Sequence, residues 1–243
     1  MASSRTYFVA EGCTVGWSLS GGCAGPSRAR ICGRTTRLAS IGMARATASA
    51  SAADVSDALR AAGVRDVRAD TTTRALFSSD ASLYRVPPLA VARPQAADEV
   101  DAILAVCREL GVPLTSRGAG TSGAGNAVGP GVVVDFSRHL NRVLGVDPEA
   151  RTATVQPGVV QAHLQRAAAP HGLRFGPDPS THTRCTIGGM IGNNACGART
   201  LGYGRTVDNV VGLEVVAGTG DRLTLPGSGS LLEQLRTVAG GHL

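Results

Sequence analysis

The stretch Pro113-Leu-Thr-Ser-Arg-Gly-Ala-Gly-Thr-Ser-Gly-Ala-Gly125 ends a short apolar run in a turn crowded with glycine. Glycine leaves backbone amides uncovered and tolerates positive φ, so consecutive amides of such a turn can line a concave nest for an anion. Thr121 and Ser122 add hydroxyl donors and Arg117 adds a fixed positive charge. Residues 117–122 therefore have the chemistry of a diphosphate cradle, although a plain glycine-rich loop would use the same residue types.

Two familiar cradles can be compared with it. Gly118-Ala-Gly120-Thr-Ser-Gly123 satisfies the GxGxxG spacing of a dinucleotide fold. That fingerprint needs a strand before it and a helix opening on its second half. Residues 112–115 are apolar and β-prone, but Gly123, Gly125, Gly129, Pro130 and Gly131 oppose a helix in the residues that follow. A Walker loop needs a lysine, and the 24 basic residues are all arginine.

The second half of the chain carries further blocks in a fixed order. Gly176-Pro-Asp-Pro-Ser180 is a turn stiffened by two prolines. It is followed by Cys185-Thr-Ile-Gly-Gly-Met-Ile-Gly-Asn-Asn-Ala-Cys-Gly197 and then by Tyr203-Gly-Arg-Thr-Val-Asp-Asn-Val-Val-Gly-Leu-Glu-Val-Val216. With the 113–125 loop, these blocks resemble the FAD-binding domain of the vanillyl-alcohol-oxidase (PCMH-type) superfamily. The likeness runs from about Ser78 onward and is nearest to the D-lactate, glycolate and D-2-hydroxyglutarate dehydrogenases.

The resemblance implies an α+β fold of two α/β subdomains with FAD between them, dividing near residue 143. It implies that residues 117–122 (Arg117, Gly118, Ala119, Gly120, Thr121 and Ser122) hold the pyrophosphate. It places Pro177, Asp178 and Ser180 near the flavin, and sets the backbone of Thr186, Gly188 and Gly189 against the ring and pyrophosphate. Asn193, Asn194, Ala195 and Gly197 would continue that wall, while Gly204 and Val210 belong to a turn beside the adenosine half or to a purely structural turn. Residues 118–125 contain no histidine, so the FAD is expected to be non-covalent. The implied reaction is oxidation of a D-2-hydroxy acid by hydride transfer to the flavin. In such relatives the base and the substrate clamp come largely from a cap domain, and this chain is expected to stop before it. No residue is therefore assigned as the base. A partner chain would supply the cap or the electron acceptor; the alternatives are a stand-alone FAD-binding subunit and a non-catalytic remnant.

Composition bounds the remaining classes. The chain has 243 residues and a net charge of +6. Residues 1–45 hold six arginines against Glu11 alone, so the rest is nearly neutral. No basic face with interleaved aromatics argues for nucleic acid, and no run is long enough to cross a bilayer. Residues 1–50 are Ser- and Arg-rich and acid-poor, which fits a disordered extension or a transit-like segment; Met43 would be the start if the extension is misassigned. The six cysteines form no CxxC pair or metal-ligand spacing and suit a reducing, cytoplasmic setting, or an organelle if residues 1–45 direct import.

A coarse pass predicts a helix over 55–62 with Asp54 as its cap, within a lead-in that ends near residue 86, and a loop over 71–80. The FAD domain proper is expected over 87–243. It begins with a strand at 89–92, an amphipathic helix at 98–110 and strands at 112–115 and 131–136. Beyond 143 the pattern predicts a hairpin around Asp147-Pro148-Glu149, a helix over 159–171, a helix or turn at 187–194, a hairpin over 210–225 and a helix over 231–237.

Overall fold

The structure, a computed structural model, describes residues 9–16 and 50–226. Its elements in chain order are β1 (Val9–Gly16), α1 (Ala52–Ala61), β2 (Val67–Arg68), α2 (Thr71–Leu76), β3 (Ala90–Ala92), α3 (Ala97–Glu109), β4 (Leu114–Arg117) and β5 (Val132–Asp135). Then come β6 (Val143–Asp147), β7 (Thr152–Val155), α4 (Gln161–Ala168), α5 (Ile187–Gly192), α6 (Thr200–Tyr203), β8 (Val210–Val216) and β9 (Arg222–Pro226). The architecture is α+β.

The first subdomain is a sheet in the order β2-β3-β5-β4, parallel except for β2. Ala90, Val91, Ala92, Val132, Val133 and Val134 are all buried, as expected of short central strands covered on both faces. Helix α1 begins with a reciprocal cap: Ser51 Oγ accepts from Asp54 N at 3.2 Å, and Asp54 Oδ2 accepts from Ser51 N at 3.0 Å. The cap is thus Ser51, with Asp54 in the returning position of a capping box. Val55 and Leu59 of α1 and Val100, Ile103 and Cys107 of α3 pack into one core beside the sheet. Val216 of β8 reaches the same core and ties the two subdomains together.

Residues 71–80 are not a plain loop. Their first part forms α2, capped by Asp70, whose Oδ1 accepts from Thr73 N at 2.9 Å. Three consecutive threonines are poor helix formers, and no residue of α2 is buried; the cap is the signal that composition concealed.

The second sheet has the order β6-β7-β1-β8-β9, with every adjacent pair antiparallel. The β6–β7 turn is held by Asp147, whose Oδ1 accepts from Glu149 N (3.0 Å) and Ala150 N (2.9 Å). Helix α4 is shorter than expected: it gives way to a 3-10 turn at Ala169–His171, and Gly172 ends it at φ +67°. Val155, Leu164, Phe175, Ile187 and Met190 form the second core.

The largest departure from expectation is β1. Residues 9–16 were expected to share the disorder of an arginine-rich extension, yet they fill the centre of the second sheet, with Cys13 opposite both Val155 and Leu213. The physical reason is backbone pairing. Without β1, the facing edges of β7 and β8 would leave two rows of amides and carbonyls without partners. The rest of residues 1–49 and the helix expected over 231–237 lie outside the described residues.

Candidate functional site

Strands β4 and β5 run parallel, and the loop that leaves β4 at Arg117 crosses the end of the sheet where a parallel α/β arrangement binds ligands. Facing it from the second subdomain is the segment that leads into α5. The two surfaces enclose a cleft of about 220 Å³.

Nine of the sequence-predicted residues line this cleft. Gly118, Ala119, Gly120, Thr121 and Ser122 form one wall; Thr186, Gly189, Asn193 and Ala195 stand on the other. The walls touch where a Cβ on Gly118 would lie 2.0 Å from Thr186 Oγ1. Only glycine fits there. Thr186 caps α5, its Oγ1 accepting from Gly189 N at 3.3 Å. Asn193 closes the mouth: its Oδ1 accepts from Asn126 Nδ2 at 2.9 Å and from Ser122 Oγ at 3.5 Å, while its Nδ2 donates to Gly189 O at 3.0 Å.

The other nine stand behind the walls. Arg117 lies under the loop, not in the cleft: its Nη1 donates to Ala127 O at 3.0 Å, and its guanidinium covers the Phe77 ring at 4.9 Å. Burial lowers its pKa, with the Asp135 and Asp80 charges acting in opposition. Arg93 covers the same ring at 5.4 Å and bridges Asp66 and Asp135, each at 3.6 Å. These contacts brace the loop from below.

In the second subdomain, Pro177 is buried and its carbonyl accepts from Gln161 Nε2 at 3.1 Å. Asp178 turns away from the cleft to Arg174 and Arg199, each at 3.2 Å. Ser180 is exposed. Gly188 donates to Pro157 O at 2.8 Å. Asn194 has φ 45° and accepts from Val207 N at 3.1 Å. Gly197 packs on the Asp178 carbonyl, which a Cβ there would approach to 1.9 Å. Gly204 N donates to Thr200 O at 2.8 Å, and Val210 is a buried residue at the start of β8.

Several lining residues escaped the sequence reading. Ser116 lines the cleft, and its Oγ is buried with no hydrogen-bond partner. It stands near the end of β4, just before the glycine-rich loop, and that position is the signal that could have found it. Asn126, Pro179, Thr181, Cys185 and Met190 also line the cleft. Asp80 fixes the far end of the loop, its Oδ2 accepting from Ala127 N at 3.3 Å and its Oδ1 from Ser82 N at 2.8 Å. Partial burial raises the Asp80 pKa, but the Ser82 and Ala127 bonds and the Arg117 charge outweigh it, leaving the carboxyl below its ordinary value. Cys185 is the one titratable side chain among the described cleft-lining residues, and burial pushes its thiol up.

The site therefore offers a strip of uncovered amides, hydroxyls and carboxamides, one orphaned buried hydroxyl, and no charged group in the lining. An extended, polar, diphosphate-bearing cofactor fits that donor set.

Comparison with known proteins agrees. The family model described as "FAD binding domain" matches residues 88–226. The D-2-hydroxyglutarate dehydrogenase of Pseudomonas putida is 40% identical over 189 residues, covering 76% of this chain and 19% of that protein. The glycolate oxidase subunit GlcD of Escherichia coli is 44% identical over 146 residues, covering 59% of this chain and 29% of that one. The chain thus spans less than a third of the length of either relative. Among solved structures, Physcomitrella patens BBE-like 1 superposes with a TM-score of 0.63 at 20% identity, covering 72% of this chain and 38% of that one. An alkyldihydroxyacetonephosphate synthase gives 0.61 at 23%, covering 68% and 33%. These structural likenesses show the fold. On the family match across more than half its length, this chain belongs to the FAD binding domain family.

Proposed function

We propose that the chain is the FAD-holding part of a flavin-dependent oxidoreductase that acts on a D-2-hydroxy acid. The meeting of the 118–122 loop with Thr186 above the orphaned Ser116 hydroxyl carries this reading. Backbone amides of residues 118–122 and the Thr121 and Ser122 hydroxyls hold the diphosphate. Ser116 donates to a cofactor oxygen or ring nitrogen. Thr186 and Gly189 present bare backbone to the cofactor, and the Asn193–Asn126 bond limits water entry at the mouth. The bound flavin would supply the two-electron acceptor.

The described cleft-lining residues bind and orient; none of them is suited to move the substrate proton. Among the described lining residues only Cys185 titrates, and its raised pKa keeps it protonated near neutrality. A general base needs a pKa near the working pH, so the base is to be sought outside the described lining residues, and a further domain or a partner chain is the source this reading favours. The same protonated thiol, with no histidine in the loop, supports non-covalent FAD. Sequence identity to the glycolate and 2-hydroxyglutarate enzymes supports the substrate class. No helix of the described residues is long and apolar enough to cross a membrane, and the free Cys107, Cys185 and Cys196 support a reducing, cytoplasmic setting.

The test is gel filtration of the full chain after incubation with FAD. The reading expects flavin bands near ~370 and ~450 nm to co-elute with the folded protein. Release of the flavin by mild denaturation would confirm non-covalent attachment. A folded chain that elutes colourless contradicts the reading.

A further inference from the structure

We propose that Phe77, which stands outside the cleft, is a positioning residue: its ring fixes the Arg117 guanidinium beneath Gly120 and so sets the shape of the 118–127 loop. That the loop serves FAD rests on the reading above; that Phe77 holds the loop does not.

The ring is itself held in place. Phe77 follows α2, and its N–H donates to Thr73 O at 3.0 Å. Arg74 Nε donates to Pro88 O at 2.7 Å. Ser78 is buried, its Oγ donating to Ala75 O at 2.7 Å and its carbonyl accepting from Val86 N at 2.7 Å. These bonds fasten a short helix that buries none of its own residues. Such a helix gains little from packing, and the aromatic side chain at its end is what reaches the loop support.

Arg117 is the link between ring and loop. Its guanidinium lies 4.9 Å from the centre of the Phe77 ring, within cation–π range. The same group crowds Gly120: a Cβ there would stand 2.5 Å from Arg117 Nη2 and 2.9 Å from Cζ. Its Nη1 donates to Ala127 O at 3.0 Å, so one guanidinium touches the loop at residues 120 and 127. Gly120 O in turn accepts from Ala81 N at 3.0 Å, which ties the backbone just after Phe77 to the loop.

Burial disfavours the Arg117 charge, and the Asp135 and Asp80 carboxylates favour it. Each of those carboxylates is engaged elsewhere, Asp80 by Ser82 N and Ala127 N and Asp135 by Arg93. The Phe77 ring and the Ala127 carbonyl are the groups in direct contact with the cation. A ring that only filled space could be replaced by leucine. Phe77 instead meets two guanidiniums, Arg117 and, at 5.4 Å, Arg93, and leucine offers them no quadrupole.

The test compares Phe77→Leu, which keeps apolar bulk, with Phe77→Tyr, which keeps the π face. In the FAD-free chain, nitrogen-15 order parameters of residues 118–127 should drop toward the flexible range, below about 0.6, in the leucine variant only. FAD should bind the leucine variant about fivefold more weakly, the loss of one cation–π contact, and the tyrosine variant as tightly as the parent. In an Arg117→Met background, where the cation is gone, Phe77→Leu should change neither quantity further. An undisturbed loop in the leucine variant, unchanged FAD affinity despite a loosened loop, or leucine and tyrosine variants that behave alike would overturn the proposal. So would the same fivefold loss in the Arg117→Met background. A parent chain that binds no FAD overturns the cofactor reading instead, and the order parameters then decide the role of Phe77 by themselves.

Discussion

Gly118 and Thr186 meet across the cleft with no space for a side chain on the glycine, since a Cβ would stand 2.0 Å from Thr186 Oγ1. Gly118→Ala should therefore force the two subdomains apart and cost about 1–3 kcal/mol of stability. Thr186→Ala removes the clashing oxygen but also a helix cap, costing about 1 kcal/mol alone. The double variant should be more stable than the sum of the single losses implies. Urea unfolding of the four proteins measures this; additive losses would show that the contact is not tight.

Ser116→Ala separates folding from binding. Removing a buried hydroxyl that has no partner should leave the FAD-free chain as stable or raise its stability by about 1 kcal/mol. On the proposed reading the same change should weaken FAD about fivefold, the scale of one lost hydrogen bond to the cofactor. Thermal melting and FAD titration together read both effects. Unchanged FAD affinity would remove Ser116 from the site.

Asn193 and Asn126 join the subdomains at the cleft mouth through a 2.9 Å bond. Both side chains are exposed, so each alanine variant should fold. A double-mutant cycle on stability should return a coupling of about 0.5–1 kcal/mol. Zero coupling would mean that the mouth is held by other contacts.

Asp80 predicts a pH dependence with a defined sign. Its folded pKa lies below the ordinary value of 3.8. The stability it contributes is therefore fully present above the unfolded pKa and is lost as pH falls through the folded one. At pH 6, Asp80→Asn should be less stable than the parent by about 1.5 kcal/mol, the scale of bonds to a charged acceptor. Below about pH 4 the gap should shrink. Denaturant midpoints across pH 3–7 test this, and a constant gap would contradict it.

Strand β1 makes the fifth prediction. Thr14 pairs with Thr154 on one side and Gly212 on the other. Thr14→Pro removes a ladder donor from the middle of a five-stranded sheet and should cost about 3 kcal/mol or more. If residues 9–16 were dispensable, urea unfolding would show no change.

What was legible in the sequence was local and glycine-rich. Residues 118–122 and Thr186, Gly189, Asn193 and Ala195 stood out in the sequence because backbone exposure demands particular residue types at particular positions, and the fold brings them to one cleft. Asp178 and Arg117 illustrate the limit. Both lie in the right motifs, yet their charges are spent on Arg174 and Arg199 in one case, and on Phe77 and the 127 carbonyl in the other. Chain proximity does not reveal which way a side chain points. Strand β1 was hidden for another reason: averaging over an arginine-rich segment masked eight residues whose pairing partners lie more than a hundred positions away. Helix α2 was hidden by its threonines, and Ser116 by the absence of any partner near it in sequence.

The most direct test of the central claim is a calorimetric titration of FAD into the full-length chain and into its Gly118→Ala variant. The account predicts one FAD per parent chain, with the variant at least about tenfold weaker because the loop proposed to hold the diphosphate is displaced. A folded parent chain that takes up no FAD, or a variant that binds it equally well, would contradict the assignment of this cleft.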